Sequence, residues 1–343
     1  MSTYHKQGGD LILQMGTGYF GCRDERGRFS LDRLQEGIAA SPVRAIEIKL
    51  SQGAKPGVGG MLSAAKITPE IAAARGIPMG QDCASPARHS EFHDVDSLLD
   101  FVEMLADETG LPVGIKPAVG ELGFWRQLAF QMASTERGVD FVTIDGGEAG
   151  TGAAPLVFAD HVAMPFKRGM SNVFREFVKL DMHQDVVFIG SGKLGFPEAA
   201  ILAFGLGCDM INVGREALLS IGCIQAQRCH TGFCPAGIAT QNKWLMRGLD
   251  PKLKSARLAN YLVSFRKELL RLCHACGFNH PSLITLDQFE ILGEALHSTP
   301  ATEIFDYQSE WSLPSAEDQA VTRIWTGSPL DEVAYPSGNL QPV

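Results

Sequence analysis

Short apolar segments that end in glycine or a polar residue recur along the chain, most of them followed by a stretch with helical spacing. The pattern predicts strands over 45–50 (AIEIKL), 80–85, 113–117 (VGIKP), 141–145 (FVTID), 186–190 (VVFIG) and 210–214 (MINVG). Amphipathic runs such as 97–109 and 197–206 lie between them. Alternation of strand and helix implies right-handed crossovers and a parallel sheet. The strands end in or run into residues better suited to a ligand than to a core: Lys49, Lys116, Asp145, Ser191 and Arg215. In a (β/α)8 barrel the functional face is the one at the strand C-termini. The segment 11–15 has the makings of a short strand, but Gly16, Gly18 and Gly21 interrupt it, so six strands are convincing rather than eight. Either the fold is an open doubly wound sheet, or the first two strands of a barrel lie outside this chain. Beyond Thr240 the pattern turns helical over 250–276, and a polar, proline-containing tail over 312–343 reads as irregular. The expected organisation is a barrel over 1–245, carrying a cysteine loop at 222–241, then a helical extension over 246–311 and the tail.

Composition narrows the function without choosing it. A chain of 343 residues, 45% hydrophobic and 20% charged, has the makeup of an ordinary globular protein. Its net charge of -9 argues against nucleic acid as the main partner, because phosphate binding needs a basic surface. No run approaches the roughly 20 apolar residues of a membrane helix. The N-terminus lacks the apolar core of a signal peptide, so a cytoplasmic location is expected. Eight cysteines in so long a chain do not suggest a disulfide scaffold.

Three glycine-rich loops follow strands. In SQGAKPGVGG (51–60), four glycines surround Lys55, and Lys49, Lys66 and Arg75 add positive charge nearby. A dicarboxylate or phosphate is the natural guest, although a flexible loop with solvated lysines explains the composition equally well. DGGEAGTGAAP (145–155) ends another strand. GSGKLG (190–195) and Gly214–Arg215 end the last two, where flavin and phosphate barrels present backbone N–H groups to a phosphate. GSGK is not a nucleotide P-loop: Val187 stands where its first glycine belongs, and Leu194 replaces the magnesium-binding hydroxyl.

Cys223, Cys229 and Cys234 fall within twelve residues, with five and then four residues between them. Thiolates so spaced, in a loop closed by Pro235 and Gly237, can wrap an inorganic cluster. Zinc would need His230 as fourth ligand, and its adjacency to Cys229 makes that awkward. Three ligands fit a three-iron cluster, while three buried thiols that happen to be near each other are the plainer reading. Cys273 and Cys276 sit in a helical pattern, where packing is the expected role.

With these residues in hand, the chain resembles the FMN-binding glutamate synthase family. The motifs are QGAKPGVGG (52–60), IDGGEAGTGAAP (144–155), GSGKLG (190–195) and CIQAQRCHTGFCPAGIATQ (223–241), in the family's order over about the first 240 residues. The resemblance implies an α/β fold, a (β/α)8 TIM barrel incomplete at its N-terminus, with FMN at the C-terminal mouth. It further implies a [3Fe-4S] cluster on Cys223, Cys229 and Cys234. The implied reaction is reductive amination of 2-oxoglutarate to L-glutamate, with an ammonia source and electrons from a reductase subunit or ferredoxin. Gln52, Lys55 and Arg75 resemble the residues that hold 2-oxoglutarate, and Lys116 resembles the barrel lysine near the flavin ring. Lys49 joins Lys116 as the expected catalytic pair. The flavin is expected against Asp145, Gly146 and Gly147, its phosphate against Gly190, Ser191, Gly192, Lys193, Gly214 and Arg215. Three departures stand out. The family's first two strands and an N-terminal glutaminase domain are expected to be missing. Val58 and Met61 replace an acidic residue and a glutamine of the family's loop.

Two other readings compete. A different FMN barrel with a cysteine nucleophile would have to use Cys83, beside which nothing activating stands. A truncated barrel could also serve as a non-catalytic binding subunit. His89, His93 and His161 read as surface or satisfied core residues. Glu47 and Lys49 share one strand face and read as a salt bridge at the barrel mouth.

Overall fold

Six parallel strands, hydrogen-bonded in strict chain order, form the sheet of this computed structural model, which describes residues 8–150, 152, 154–293 and 297–326. Strand β1 (Leu11–Met15) precedes helix α1 (Leu31–Ala39) and strand β2 (Val43–Lys49). A short antiparallel pair, β3 (Met61–Leu62) and β4 (Cys83–Ala84), flanks helix α2 (Pro69–Arg75). The alternation then continues through α3 (Val95–Thr109), β5 (Val113–Lys116), α4 (Gly123–Ser134), β6 (Phe141–Asp145), α5 (Phe166–Val178), β7 (Val187–Ser191), α6 (Pro197–Gly205), β8 (Met210–Asn212) and α7 (Arg215–Ser220). The sheet order β1-β2-β5-β6-β7-β8 never reverses, as a doubly wound sheet would at its switch point. Residues of β1 (Ile12, Gln14) and of β8 (Asn212) line one hollow, so the sheet curls until its two edges face each other. The fold is an incomplete (β/α)8 barrel.

Two strand expectations change. The segment 80–85 contributes only β4, which pairs with β3 outside the barrel sheet. The segment 11–15 is instead a barrel strand, parallel to β2. Its glycines begin at Gly16, immediately after the last paired residue, so they terminate the strand rather than interrupt it.

The core follows from the patterning. Ile46, Ile48, Val113, Ile115, Val142, Ile144 and Phe188 are buried strand residues; Leu98, Leu99, Val102 and Leu105 bury one face of α3 against β5, while α5 packs on β6 and β7. That helix starts at a capping box between Asp94 and Ser97 and stops at Gly110, whose φ of 64° lies in the left-handed region. Beyond the barrel, the 25-residue α8 (Pro251–Ala275) lies on α6 and α7. A small second core joins them, in which Cys273 is fully buried beside Leu269 and Ile284. A hairpin of β9 (Glu290–Leu292) and β10 (Ser298–Pro300) and helix α9 (Ala301–Phe305) follow. The tail expected to be irregular carries helix α10 (Ala316–Trp325), begun by a Ser315 cap; residues 327–343 lie outside the described residues. Among the described residues no helix is long and apolar enough to cross a membrane.

Candidate functional site

Asp145, the last residue of β6, ties four elements together. It is 2% exposed. Its Oδ1 lies 3.2 Å from the Lys116 ammonium at the end of β5 and accepts from the Ser191 hydroxyl on β7 at 2.7 Å. Its Oδ2 accepts from the backbone N–H of Gly53, in the loop after β2, at 2.6 Å. A carboxylate so enclosed is sustained by charge-assisted donors on both oxygens. Gly53 is required there, because a Cβ would run into the Gly146 carbonyl oxygen and stand 2.6 Å from that of Asp145.

One layer deeper, strand alternation turns Glu47 and Thr143 to the same interior. Glu47 is buried, with Oε1 accepting from Gln14 Nε2 at 2.5 Å and Oε2 from the Thr143 hydroxyl at 2.6 Å. It therefore does not form the expected salt bridge to Lys49. The Lys49 ammonium instead donates to Gln52 Oε1 at 3.3 Å. Burial holds its pKa below the ordinary 10.5, and the charges of Lys116 and Lys55 push the same way against Asp145 and Glu47. His89 braces this strand end from behind, with Nε2 3.0 Å from the Lys49 carbonyl and Nδ1 2.9 Å from the Tyr19 hydroxyl. It is a satisfied buried residue.

The lowered lysine carries a pH prediction. Between the folded value and 10.5 the unfolded chain holds the proton that folded Lys49 has lost. Stability contributed by this group therefore rises as pH increases through that window. Lys49→Met is expected to flatten that rise in urea midpoints measured across the alkaline range; an unchanged slope would show that Lys49 does not titrate there.

Two hollows of about 430 Å3 each open beside this cluster and share Gln14, Lys49 and Gln52. Among the described residues the first is lined by Lys49, Gln52, Lys55 and Arg75 and by no acidic residue. Arg75 rests its guanidinium over the Phe20 ring, 5.1 Å from the centroid. Three cations without a carboxylate suit a small dianion. Val58 lines this hollow, whereas Met61 is 70% exposed and does not. The second hollow takes in Lys116, Asp145, Ser191, Gly192, Lys193, Gly214 and Arg215. Both volumes lie in the range of small-molecule sites.

The expected cofactor residues divide here. Gly192 and Gly214 line the second hollow, and Gly214 has open space where a Cβ would stand, so ligand atoms can approach its backbone. Lys193 turns through a φ of 55°, with its ammonium 3.4 Å from Asp160. Arg215 lies against Gly150 and reaches the Glu148 carbonyl at 3.5 Å. By contrast, the N–H of Gly146 is engaged by the Ser191 carbonyl and that of Gly147 by the Met164 carbonyl, each at 2.8 Å. A Cβ at Gly190 would meet Leu194, Phe166 and Cys208, so that position serves packing. Thr151 and Ala153 of the same loop lie outside the described residues. Flavin thus fits the open backbone at Gly214, the Ser191 hydroxyl and the cations, and not the engaged N–H groups or the packed Gly190 and Gly192.

The cysteine loop offers donors to sulfur. Cys223 Sγ accepts from the Gln225 N–H at 3.4 Å. Burial pushes the Cys234 thiol up, but the N–H groups of Ala239, Ile238, Ala236 and Gly237 outweigh it and leave the thiol below its ordinary value. Lys66 donates to the Cys229 carbonyl, and Gly152 packs on the Cys229 sulfur. However, among the described residues no three His, Cys, Asp or Glu side chains are gathered as a metal would require. The donors fit thiolate ligands; the side-chain positions do not bring Cys223, Cys229 and Cys234 together.

Residues 2–279 match the family model described as the conserved region in glutamate synthase. The chain belongs to the glutamate synthase family. It is 38% identical over 282 residues to a glutamate synthase large subunit-like protein, YerD, of Bacillus subtilis, covering 82% of this chain and 54% of that one. It is 35% identical over 269 residues to the archaeal glutamate synthase (NADPH) of Methanocaldococcus jannaschii, covering 78% and 50%. To the archaeal-type glutamate synthase (NADPH) of Thermotoga maritima it is 31% identical over 290 residues, covering 84% and 54%. This glutamate synthase family chain thus spans about half the length of the curated relatives it matches. Among solved structures, a flavocytochrome b2 with pyruvate bound has a TM-score of 0.47 at 13% identity, covering 81% of this chain and 53% of that one, a likeness too loose to decide anything.

Sequence reasoning missed Gln14 and Asn212, which line the second hollow, and the capping role of Glu148. The Glu148 carboxylate accepts the Phe166 N–H at 2.9 Å from both oxygens, at the start of α5. A lone polar residue inside the apolar strand LILQM was the signal available for Gln14.

Proposed function

We propose that this chain is the flavin-binding catalytic part of a glutamate synthase, making L-glutamate by reductive amination of 2-oxoglutarate. The observation that carries the reading is the acid-free cationic hollow, which shares Lys49 and Gln52 with the hollow around Lys116 and Asp145. Arg75 and Lys55 bind the two carboxylates of the keto acid, and Gln52 orients it. FMN in its reduced form, when bound, would supply the hydride. Ser191, Gly192, Lys193, Gly214 and Arg215, which line the second hollow, are the residues that would hold its phosphate, and Lys116, fixed by its ion pair with Asp145, would supply positive charge to its ring. Lys49, its pKa lowered by burial, gives a proton to the substrate nitrogen more readily than a free lysine would. Cys223, Cys229 and Cys234 are the ligands we assign to a [3Fe-4S] cluster, supported by their spacing and by N–H groups directed at sulfur. Ammonia and electrons come from partners, the latter from a reductase subunit or a ferredoxin.

Anaerobically purified protein is expected to carry flavin absorbance, and dithionite-reduced protein to be reoxidised by 2-oxoglutarate with ammonium, yielding glutamate. Arg75→Ala is expected to raise the 2-oxoglutarate requirement about 100-fold, since hydrogen bonds to charged groups contribute roughly 1.5–3 kcal/mol, while flavin content stays unchanged. Protein without flavin, or reduced flavin indifferent to 2-oxoglutarate, overturns the reading.

A further inference from the structure

Three side chains border both hollows beside Asp145: Gln14, Lys49 and Gln52. A ligand that reaches from one hollow to the other passes between them. The Lys49 ammonium has donors and no acceptor. The Gln52 carboxamide oxygen is already engaged by that ammonium at 3.3 Å. Among the described residues no donor engages the carboxamide oxygen of Gln14, whose nitrogen alone is bonded. Its direction is set by the layer beneath. Gln14 and Glu47 are register partners on neighbouring parallel strands, so their side chains share the barrel interior. Glu47 is 6% exposed and accepts from Gln14 Nε2 at 2.5 Å and from the Thr143 hydroxyl at 2.6 Å. Its own partner on β5 is Gly114, which puts no side chain in the way to β6. With both oxygens of Glu47 acting as acceptors, the carboxylate holds the nitrogen of Gln14 and turns away its oxygen. The junction of the two hollows thus has one open acceptor among cations and spent groups.

We propose that Gln14 selects the nitrogen of the substrate, its carboxamide oxygen accepting an N–H from the imine and from the ammonium of L-glutamate. The proposal rests on the functional reading above. Glu47 is then a positioning residue, which keeps the oxygen and not the nitrogen of Gln14 turned to the ligand. The chemistry says why an acceptor is wanted here. Ammonia adds to the keto carbon and water leaves, so C=N–H replaces C=O. Either group takes a hydride from reduced flavin and a proton, giving L-glutamate from the imine and 2-hydroxyglutarate from the keto acid. The two carboxylates are the same in both, so Arg75 and Lys55 do not tell them apart. Lys49 donates to a lone pair on either heteroatom and does not discriminate. The imine N–H donates where the keto oxygen only accepts. A fixed amide oxygen at that point attracts the first and repels the second.

The test uses the whole chain as purified and titrates two ligands calorimetrically, 2-oxoglutarate and L-glutamate. Gln14→Met keeps the length of the side chain and removes the oxygen. It is expected to weaken L-glutamate about 10-fold or more, the loss of a hydrogen bond to a charged group, while 2-oxoglutarate binds as tightly as before or tighter. Glu47→Gln can donate as well as accept, so the Gln14 amide is free to turn over. It is expected to shift the ratio of the two affinities the same way, by about 3-fold. With reduced flavin and ammonium, both variants are expected to raise the share of 2-hydroxyglutarate in the product. Should Gln14→Met not fold, Glu47→Gln decides alone, because its shape matches the native carboxylate. An unchanged ratio of affinities in a folded variant, or an unchanged share of 2-hydroxyglutarate, overturns the proposal and leaves the functional reading in place. A loss of both ligands in equal measure does the same, since it marks a merely structural role. A native chain that binds neither ligand overturns the functional reading and the proposal with it.

Discussion

Asp145→Ala is expected to destabilise the barrel by about 3–5 kcal/mol, the range for removing one partner of a buried ion pair. The side chains of Asp145 and Lys116 are 3% and 14% exposed, so the ammonium left behind has little water to replace its counter-ion. The same change leaves the Gly53 N–H and the Ser191 hydroxyl without their acceptor. These losses share one site and do not add. The double variant Asp145→Ala with Lys116→Met is expected to recover part of the cost by removing the orphaned charge as well. Urea unfolding at neutral pH reads both. A loss under about 1 kcal/mol in the single variant, or no recovery in the double, would mean that this carboxylate does not hold the strand ends together. Flavin content should fall with the single variant, since Lys116 loses the group that aims it.

Gly53→Ala is expected to remove 2-oxoglutarate-dependent turnover by 100-fold or more while the barrel still folds. The new methyl group meets backbone carbonyls of Gly146 and Asp145, which no rotamer change can move aside. The loop after β2 must lift away, and it carries Gln52 and Lys55; displacements near 1 Å at a reacting centre cost about 100-fold. Gly57→Ala is the control. Gly57 has a φ of 72° but open space around it, so the expected cost is about 1–2 kcal/mol of backbone strain with the loop in place. Reoxidation of reduced flavin by 2-oxoglutarate and ammonium compares the two. Equal turnover in both variants would remove the close approach of Gly53 to β6 from any functional role.

Much of this could be read along the chain. The runs 45–50, 113–117, 141–145 and 186–190 became strands because each is a short apolar stretch with β-branched residues, and the strands they form end at a polar residue. The residues at those ends, Lys49, Lys116, Asp145 and Ser191, meet in space because parallel strands in register bring equivalent ends together. The helix over 250–276 and the role of Cys273 as packing were equally legible. Other features were not. The exchange of 80–85 for 11–15 depended on which segment β2 would pair with, and a five-residue pattern does not name its neighbour.

The sequence by itself determined a barrel-like succession of strands and helices, the cations and glycines at the strand ends, and a cysteine loop of distinctive spacing. These follow from contacts within a few residues, where alternation, helical spacing and turn chemistry act. Only the tertiary structure decided that Asp145 binds Gly53 across 92 positions, that Glu47 answers to Gln14 and Thr143 rather than Lys49, and that Gly146 and Gly147 have no free N–H. Those choices depend on the register of strands far apart in the chain, which sets which polar groups lie within 3 Å of each other and which are already satisfied.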